Sequence, residues 1–424
     1  MAGFSRIAGA SNYQTKAPLQ IEYCTNTDWT VSGTNASKLA GTYTKFGSVS
    51  TRITCVGNGA SNFAQVLRTL ASPINMSKDG KLCVWVYIPD YSTIDTTNGI
   101  QVALLDPTLN KTLYANYIPQ YSGWNCINLY EAMAGTYSGG MIYGTIGGAT
   151  MADLYQTMRI RVYPKGTATA VVDMDSWHFG PRNRPKLLIT VDDGDDDFWT
   201  NIGGVVPYDY LNNAGLKHTS YIIGSLIGTA GYLTEANLLS MYNAGHDLAT
   251  HGELNLTSLA NDAARRADVA ANKNWLLSKG FARAADHYAY PNGAYEMTPG
   301  DDSIFQIMRD MGMKTARAVV RRTLNDCSTG VANHLCYQAL GHSHPAETGG
   351  LLLTRLDDLA KVGGVMFNCF HQWSNGTPSS SVQCAIADWT AYIDKAALMQ
   401  KRGQIDVVTI SQYHDGFSIP RVSP

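Results

Sequence analysis

Charge is scarce in this sequence. Only 16% of the 424 residues are Asp, Glu, Lys or Arg, and 32 basic against 34 acidic residues leave a formal net charge of −2. With no basic excess and no basic run, the chain has neither the electrostatic footprint of a nucleic-acid-binding protein nor a patch for anionic membranes. No apolar run reaches the roughly 18 residues needed to span a membrane. The opening segment, MAGFSRIAGASNYQTKAPLQ, has no apolar h-region, so no secretory signal is read in it. The eight cysteines (Cys24, Cys55, Cys83, Cys126, Cys327, Cys336, Cys369 and Cys384) never form C-x-x-C, which argues against a zinc ribbon or a thioredoxin-like motif. Cys83 and Cys369 sit inside apolar strand-like runs and read as buried free thiols. Cys327 and Cys336, in one loop, are spaced for a disulfide, though free thiols are the favoured reading. Internal repeats and low-complexity segments are also missing.

What is present is a 45% hydrophobic chain with 40 Gly and 24 Tyr. That length suggests two or three domains with sizeable cores. Gly, Ser, Thr, Asn and Tyr with few charges is a surface style common in sugar-binding and extracellular β-proteins. The pattern changes near FGPRNRPKL (Phe179 to Leu187). Before it come short β-branched or aromatic runs bounded by turn residues: KLCVWVYIPD, GIQVALLDP, MRIRVYPKG and TAVVDMDSWHFG. They predict an all-β sandwich over residues 1–182, loosely similar to jelly-roll carbohydrate-binding modules, with a carbohydrate-binding or attachment role.

After Pro185 strands and helices alternate. Strands are predicted at Leu187–Asp192, Thr219–Gly224, His246–Thr250, Asp286–Tyr290, Thr315–Val320, Gly364–Phe370 and Asp406–Ile410. Helices are predicted at Leu233–Gly245, with Thr234 as N-cap and Gly245 as stop, and at Leu256–Gly280, Asp301–Gly312 and Trp389–Gly403. Strand–helix alternation predicts a (β/α) barrel over residues 186–424, distorted and with about seven strands. Such barrels collect chemistry at the C-terminal strand ends. Asp192, Asp193, His251, the YPNG turn (Tyr290–Gly293) and His371 all fall there.

Those residues carry a resemblance. TVDDG (Thr190–Gly194), GHDLATHGELN (Gly245–Asn255), YAYPNG (Tyr288–Gly293), FNCFHQW (Phe367–Trp373) and IDVVTISQY (Ile405–Tyr413) resemble, in order, motifs of the polysaccharide deacetylases, the NodB homology domain or carbohydrate esterase family 4. The YAYPNG stretch is similar to the Y-P-Y-G subgroup. The resemblance implies a divalent metal, most often Zn with Ni, Co or Mn as alternatives. It implies Asp193, His251 and Asn255 as metal ligands, Asp192 as general base and His371 as general acid. It also implies the Asn292 peptide N–H as oxyanion donor. Tyr290, Pro291, Arg317 and Trp373 are the candidate substrate-binding residues; Tyr290 and Trp373, with Trp199 and Tyr295, lie near the expected rim, where such rings either stack on sugars or serve as packing.

The pattern departs from the family in three places. The second ligand His is Asn255 here, four residues after His251, a spacing that on a helical turn would share one face. A neutral amide oxygen should weaken zinc affinity and broaden metal choice; Glu253, Asp195 or water could fill the place. The Ser or Thr after the first ligand His is Gly252, and the family's base-orienting Arg is Ala289, with Arg317 the candidate to replace it in space. Asp195, Asp196 and Asp197 read as a solvated acidic loop or helix start. His178, His246, His287 and His334 read as structural, and His342 and His344 as loop residues. The expected function is acetyl removal from a capsule, O-antigen or cell-wall glycan by an extracellular or virion-associated protein, such as a trimeric phage tail protein. The rivals are a non-catalytic glycan-binding receptor on a degenerate scaffold and a metal-dependent C–N hydrolase of small amides or imides.

Overall fold

The computed structural model describes residues 19–22, 24–45, 48–60, 62–75, 82–119, 121–129, 141–179, 185–297, 303–319, 335, 337–341, 349–362 and 364–418. Cys327, Cys336, His334, His342 and His344 lie outside these residues.

The strands before Pro185 are β1 (Leu19–Glu22), β2 (Thr30–Ser32), β3 (Ala36–Ala40), β4 (Thr51–Val56), β5 (Ala64–Asn75), β6 (Leu82–Ile88), β7 (Ile100–Leu105), β8 (Thr112–Tyr117), β9 (Gly123–Leu129), β10 (Met141–Ile146), β11 (Leu154–Val162) and β12 (Thr169–Phe179). They form two antiparallel sheets, one ordered β3-β4-β12-β6-β9 with β1 on β12, the other β10-β8-β7-β11-β5-β2. The period-two pattern sets which face is buried. In β6, Leu82, Val84, Val86 and Ile88 enter the same core as Val102 and Leu104 of β7 and Ile160 of β11. The sandwich also touches the later part of the chain. Tyr121 packs in a cluster with Tyr290, Tyr295 and Phe305, and the Tyr91 hydroxyl donates to Glu296 Oε2 at 2.5 Å.

From Lys186 the chain alternates: β13 (Lys186–Val191), α1 (Pro207–Asn213), β14 (Thr219–Ile222), α2 (Glu235–Asn243), β15 (Asp247–His251), α3 (Asp262–Ser278), β16 (Ala284–Ala289), α4 (Ser303–Asp310), β17 (Thr315–Val319), β18 (Tyr337–Gly341), α5 (Gly349–Val362), β19 (Val365–Phe370), the short pair β20 (Gln372–Ser374) and β21 (Gln383–Ala385), α6 (Ile386–Lys401), β22 (Asp406–Val407) and α7 (Ile410–Ser418). The parallel sheet runs β14-β15-β16-β17-β18-β19-β13-β22, and β13 also pairs with β14, so the sheet curls onto itself. β22 takes only Lys186 and Leu187 at the start of β13. Strands buried on both faces read as continuous apolar runs, as in VMFNCF of β19, where every residue is buried.

The expected barrel is therefore present, with differences at its edges. β18 was absent from the predicted strands, and the predicted Asp406–Ile410 strand is two residues long before α7 starts. The Leu256–Gly280 helix begins only at Asp262, because Leu256–Ser258 forms a separate 3-10 turn and Asn261 caps the helix through Ala264 N. Thr234 caps α2 in a reciprocal box with Asn237, and Gly245 follows its end at φ +90°.

Buried histidines tie this scaffold to pH. His246 is wedged between the His218 N–H and Asn212 Oδ1, and His287 Nδ1 lies 2.8 Å from the Thr315 hydroxyl. Burial, then Lys217 and Arg283, pull His246 down to about 3; burial, then His414, pull His287 down to about 4. An unfolded His titrates near 6.5, so between that value and about 4 the unfolded chain binds protons that the folded chain excludes. This stability is complete above pH 6.5 and drains away as the pH falls, by roughly 3 kcal/mol for His287 alone. His287→Gln should therefore lose less melting temperature between pH 7 and pH 4 than the parent protein. Equal losses would remove His287 from the cause.

Candidate functional site

The loop after β13 separates two adjacent carboxylates by backbone geometry. The Gly194 N–H donates to the Asp192 carbonyl at 2.8 Å, and Asp193 between them has φ +69°. This is a γ-turn of the strained, positive-φ kind, which costs about 1–3 kcal/mol and tends to persist where function holds it. Gly194 follows at φ +88°. Asp192 turns into the barrel mouth at 2% exposure, whereas the Asp193 side chain stays 34% exposed.

Three other strand ends meet Asp192. Arg317 of β17, fully buried, places its guanidinium on Asp192 Oδ2. Cys369 of β19 donates its thiol to the same oxygen at 3.2 Å. His251 Nε2 at the end of β15 lies 3.7 Å from it, and His371 Nε2 just past β19 lies 3.8 Å away. Asp192 Oδ1 and Arg317 Nε and Nη1 are buried with no hydrogen-bond partner among the described residues. Burial alone would push the Asp192 carboxyl up; Arg317, then His251 and His371, outweigh it and hold the group well below the usual carboxylate range. Asp192 is thus an anion at any ordinary pH, and Arg317 is its fixed counter-charge.

His251 is oriented for ligation. Its Nδ1 is 2.8 Å from the Gly252 carbonyl, which fixes a proton there and turns Nε2 toward Asp192 and Asp193; burial would lower the imidazole, but Asp192 and Asp193 outweigh it and raise it, so a cation seated at Nε2 takes the place of a proton. Asp193 Oδ1 lies 3.6 Å from that nitrogen. Two donors holding a tetrahedral zinc would stand about 3.4 Å apart, so Asp193 and His251 fit a divalent cation between them. Asp192, Cys369 and His371 also offer ligand atoms within 4.8 Å of one another. There the guanidinium already fills the cationic place, and a second cation would face it at close range, so the Asp193–His251 side is the better seat.

The remaining expected residues separate into two groups. Asn292 sits in the turn Pro291–Gly293 at φ +55°, and its N–H is outside that turn's hydrogen bonds, which run from Gly293 N to Tyr290 O and from Ala294 N to Pro291 O. That leaves it open as an oxyanion donor. Pro291 is buried against Gly252, where a Cβ would also overlap the Tyr288 hydroxyl, so a Ser or Thr has no room at this position.

Three expected roles do not hold. Asn255 does not share a helical face with His251, because His251 ends a strand; Asn255 instead caps the 3-10 turn, its Oδ1 accepting from Thr257 N at 3.2 Å and Thr257 Oγ1 at 2.8 Å. Tyr290 is 1% exposed with its hydroxyl donated to the Leu335 carbonyl at 2.9 Å, so no ring face is left for a sugar. Trp373, at 2%, stacks on Phe198 with centroids 5.0 Å apart and is likewise a packing ring. Of the alternatives to Asn255, Glu253 accepts from the Ser225 hydroxyl at 2.9 Å, and Asp195 accepts from Gln372 at 3.0 Å. Burial, reinforced by Asp193, Asp197 and Asp196, raises the Asp195 carboxyl to about 6. Asp196 and Asp197 occupy the first turn of a 3-10 helix, as a plain acidic helix start would.

The sequence reading missed Cys369 as a neighbour of the site. Its signal was available: Cys369 stands two residues before His371 where β19 runs out, and in extended chain that spacing puts two side chains on one side.

Residues 179–316 match the family model for polysaccharide deacetylase. No curated protein matches the chain. Among solved structures, the chain is similar to the Xyl-CE4 domain of a multidomain xylanase from the hindgut metagenome of Trinervitermes trinervoides, at 12% identity over 56% of this chain and 93% of that one, with a TM-score of 0.35. It is also similar to a family 4 acetyl xylan esterase from Clostridium thermocellum in complex with cobalt (14% identity, 55% and 93% coverage, TM-score 0.36). A third is the chitin deacetylase from the fungal pathogen Colletotrichum lindemuthianum (14% identity, 55% and 88% coverage, TM-score 0.36).

Proposed function

We propose that this chain, which belongs over residues 179–316 to the polysaccharide deacetylase family, is a metal-dependent hydrolase that removes acetyl groups from a polysaccharide. The single observation that carries this reading is the division of labour at the β13 end. Asp193 and His251 Nε2 are 3.6 Å apart with a cation's place between them, while Asp192 is kept ionised beside them by Arg317.

A bound divalent cation would acidify a water and draw charge from the acyl oxygen. Asp192, kept ionised beside the cation seat, is the proton acceptor for that water. Arg317 and Cys369 fix the carboxylate through Oδ2. The Asn292 N–H would donate to the oxygen on which charge develops. His371, with its side chain 18% exposed at the rim, delivers a proton to the departing amine or alkoxide. The sandwich strands β1–β12 would serve as an attachment or carbohydrate-binding domain ahead of the barrel, whose first strand starts at Lys186. The acetylated glycan is a capsule, O-antigen or cell-wall polymer met outside the cell, with the protein carried on a virion as a trimeric phage tail component.

One observation favours the binding rival: Asn255, at the position of the family's second ligand His, spends its oxygen on a turn cap. Acetate release separates the two. Chelator should abolish release from acetylated polysaccharide and added Zn2+ or Co2+ should restore it; unaltered release after chelation contradicts the metal-dependent reading, and tight glycan retention with no release in any metal supports the receptor.

A further inference from the structure

Three loops of the sandwich enclose a cavity of about 280 Å³ that the proposed chemistry leaves unused. Gly59 and Asn62 line it from the β4–β5 connection, Asp95 and Asn98 from β6–β7, and Tyr163 and Gly166 from β11–β12. The loops are tied to one another. Asp95 N donates to the Tyr163 carbonyl at 2.9 Å, Gly59 N donates to the Gly166 carbonyl at 3.1 Å, and Ile94 bridges to Pro164. The cavity is thus already formed, and a ligand would not have to order it.

The hydrogen-bonding groups left over in it are mostly acceptors. The backbone N–H groups of Gly59, Asn62, Asp95, Asn98 and Tyr163 are spent on partners within the sandwich. The Asn62 amide nitrogen is spent on the Val56 carbonyl at 2.9 Å, and that of Asn98 on Asp95 Oδ1 at 3.2 Å. Asn62 is only 8% exposed, and its Oδ1 is buried with no partner among the described residues, an arrangement that costs free energy until a donor arrives. Asp95 Oδ1 accepts from Thr97 N at 3.0 Å and Asn98 N at 2.6 Å, which fixes the carboxylate. Asp95 Oδ2 has no hydrogen bond and no cation pairs with it among the described residues, and Asn98 Oδ1 is equally unclaimed. Tyr163 adds a flat ring, which packs on Phe63 with centroids 5.4 Å apart.

We infer that this cavity binds one sugar unit of a glycan, recognised as a donor of several hydrogen bonds that carries no anionic group. Fixed acceptors select a ligand rich in O–H groups. They reject phosphate, sulfate and uronate, whose oxygens would face the Asp95 carboxylate and the amide oxygens. The apolar C–H face of a pyranose suits the Tyr163 ring. The volume falls just below the roughly 300–1,000 Å³ of larger ligand sites, which fits a single ring. A bare cation is the poorer occupant: Asp95 is the one carboxylate in the lining, and Ca2+ asks for roughly six to eight oxygens.

This inference rests on the reading of the sandwich as a carbohydrate-binding domain and gives that reading a place. Its test uses the full chain, with glucose, galactose, mannose, glucosamine and glucuronate as probes in saturation-transfer NMR. Asp95→Asn keeps the Oδ1 acceptor that shapes the loop and replaces the free acceptor with a donor. Tyr163→Ala removes the ring and leaves its backbone hydrogen bonds. At least one of the uncharged or amino sugars should bind and glucuronate should not. Each variant should weaken binding about tenfold or more, since hydrogen bonds to a charged group are the stronger kind. Silence from every sugar of the panel, a preference for glucuronate, or affinities within twofold of the parent in both folded variants overturns the inference. So does a Ca2+ soak that fills the cavity. Co-sedimentation with acetylated polysaccharide separates this outcome from the wider reading: retention that both variants keep strikes the cavity and leaves the sandwich a glycan-binding domain. Sugar binding that both variants lose, in a chain that releases no acetate with any metal, sinks the hydrolase proposal and leaves the cavity standing.

Discussion

Asp192→Asn is expected to lower acetate release by about 10²–10⁴-fold, the usual worth of a general base. The substitution keeps the size of the side chain and its place at the end of β13, so the Asp193–His251 cation seat stays intact. It removes the anion that takes the proton. It also leaves Arg317 buried without its counter-charge, and breaking a buried pair typically costs about 3–5 kcal/mol, so activity has to be referred to the folded fraction. The two effects part in the metal titration. Co2+ affinity should stay close to that of the parent while turnover collapses. Affinity and turnover falling together would make Asp192 a ligand and not the base.

The second large effect belongs to Arg317. Arg317→Met roughly preserves volume in the barrel interior, where the guanidinium lies over the Tyr221 ring at 4.9 Å. It strands a buried carboxylate, with an expected loss of about 3–5 kcal/mol of stability. The pH signature is specific. Asp192 is depressed in the folded state, so its contribution is fully present above the unfolded value near 3.9 and is lost as the pH falls through the folded value. Without Arg317 the carboxyl rises, because burial then dominates. The acid side of the activity profile should move up, and the variant should gain stability relative to the parent as the pH is lowered from 7 to 4. A double mutant with Asp192→Asn should cost much less than the sum of the single changes, since the pair is one unit. Additive losses would mean that Arg317 merely fills space.

Much of this site could be read from the chain because strand ends are where period-two burial stops and reactive residues begin. Asp192 and His371 each follow an apolar run, His251 closes the buried strand DLATH, and Arg317 stood out as a lone cation in TARAV, a strand buried at all but its last residue. Three things were hidden for physical reasons. A spacing of four has a different meaning on a helix and across a strand end, so Asn255 could not be placed until β15 was seen to stop at His251. Aromatic rings beside a barrel mouth face solvent or core according to neighbours far off in sequence: Tyr290 is claimed by Tyr295 and Leu335, and Trp373 by Phe198 and Trp389. β18, YQALG, has only five residues and none of them β-branched, so it carries little strand signal of its own.

The most direct test of the whole account is an anomalous-difference map from crystals soaked in Co2+. The account predicts one strong peak within about 2.0–2.2 Å of both Asp193 Oδ1 and His251 Nε2, with Asp192 outside coordination distance and still on Arg317. A peak seated instead among Asp192, Cys369 and His371, or no peak between Asp193 and His251 at saturating metal, contradicts it.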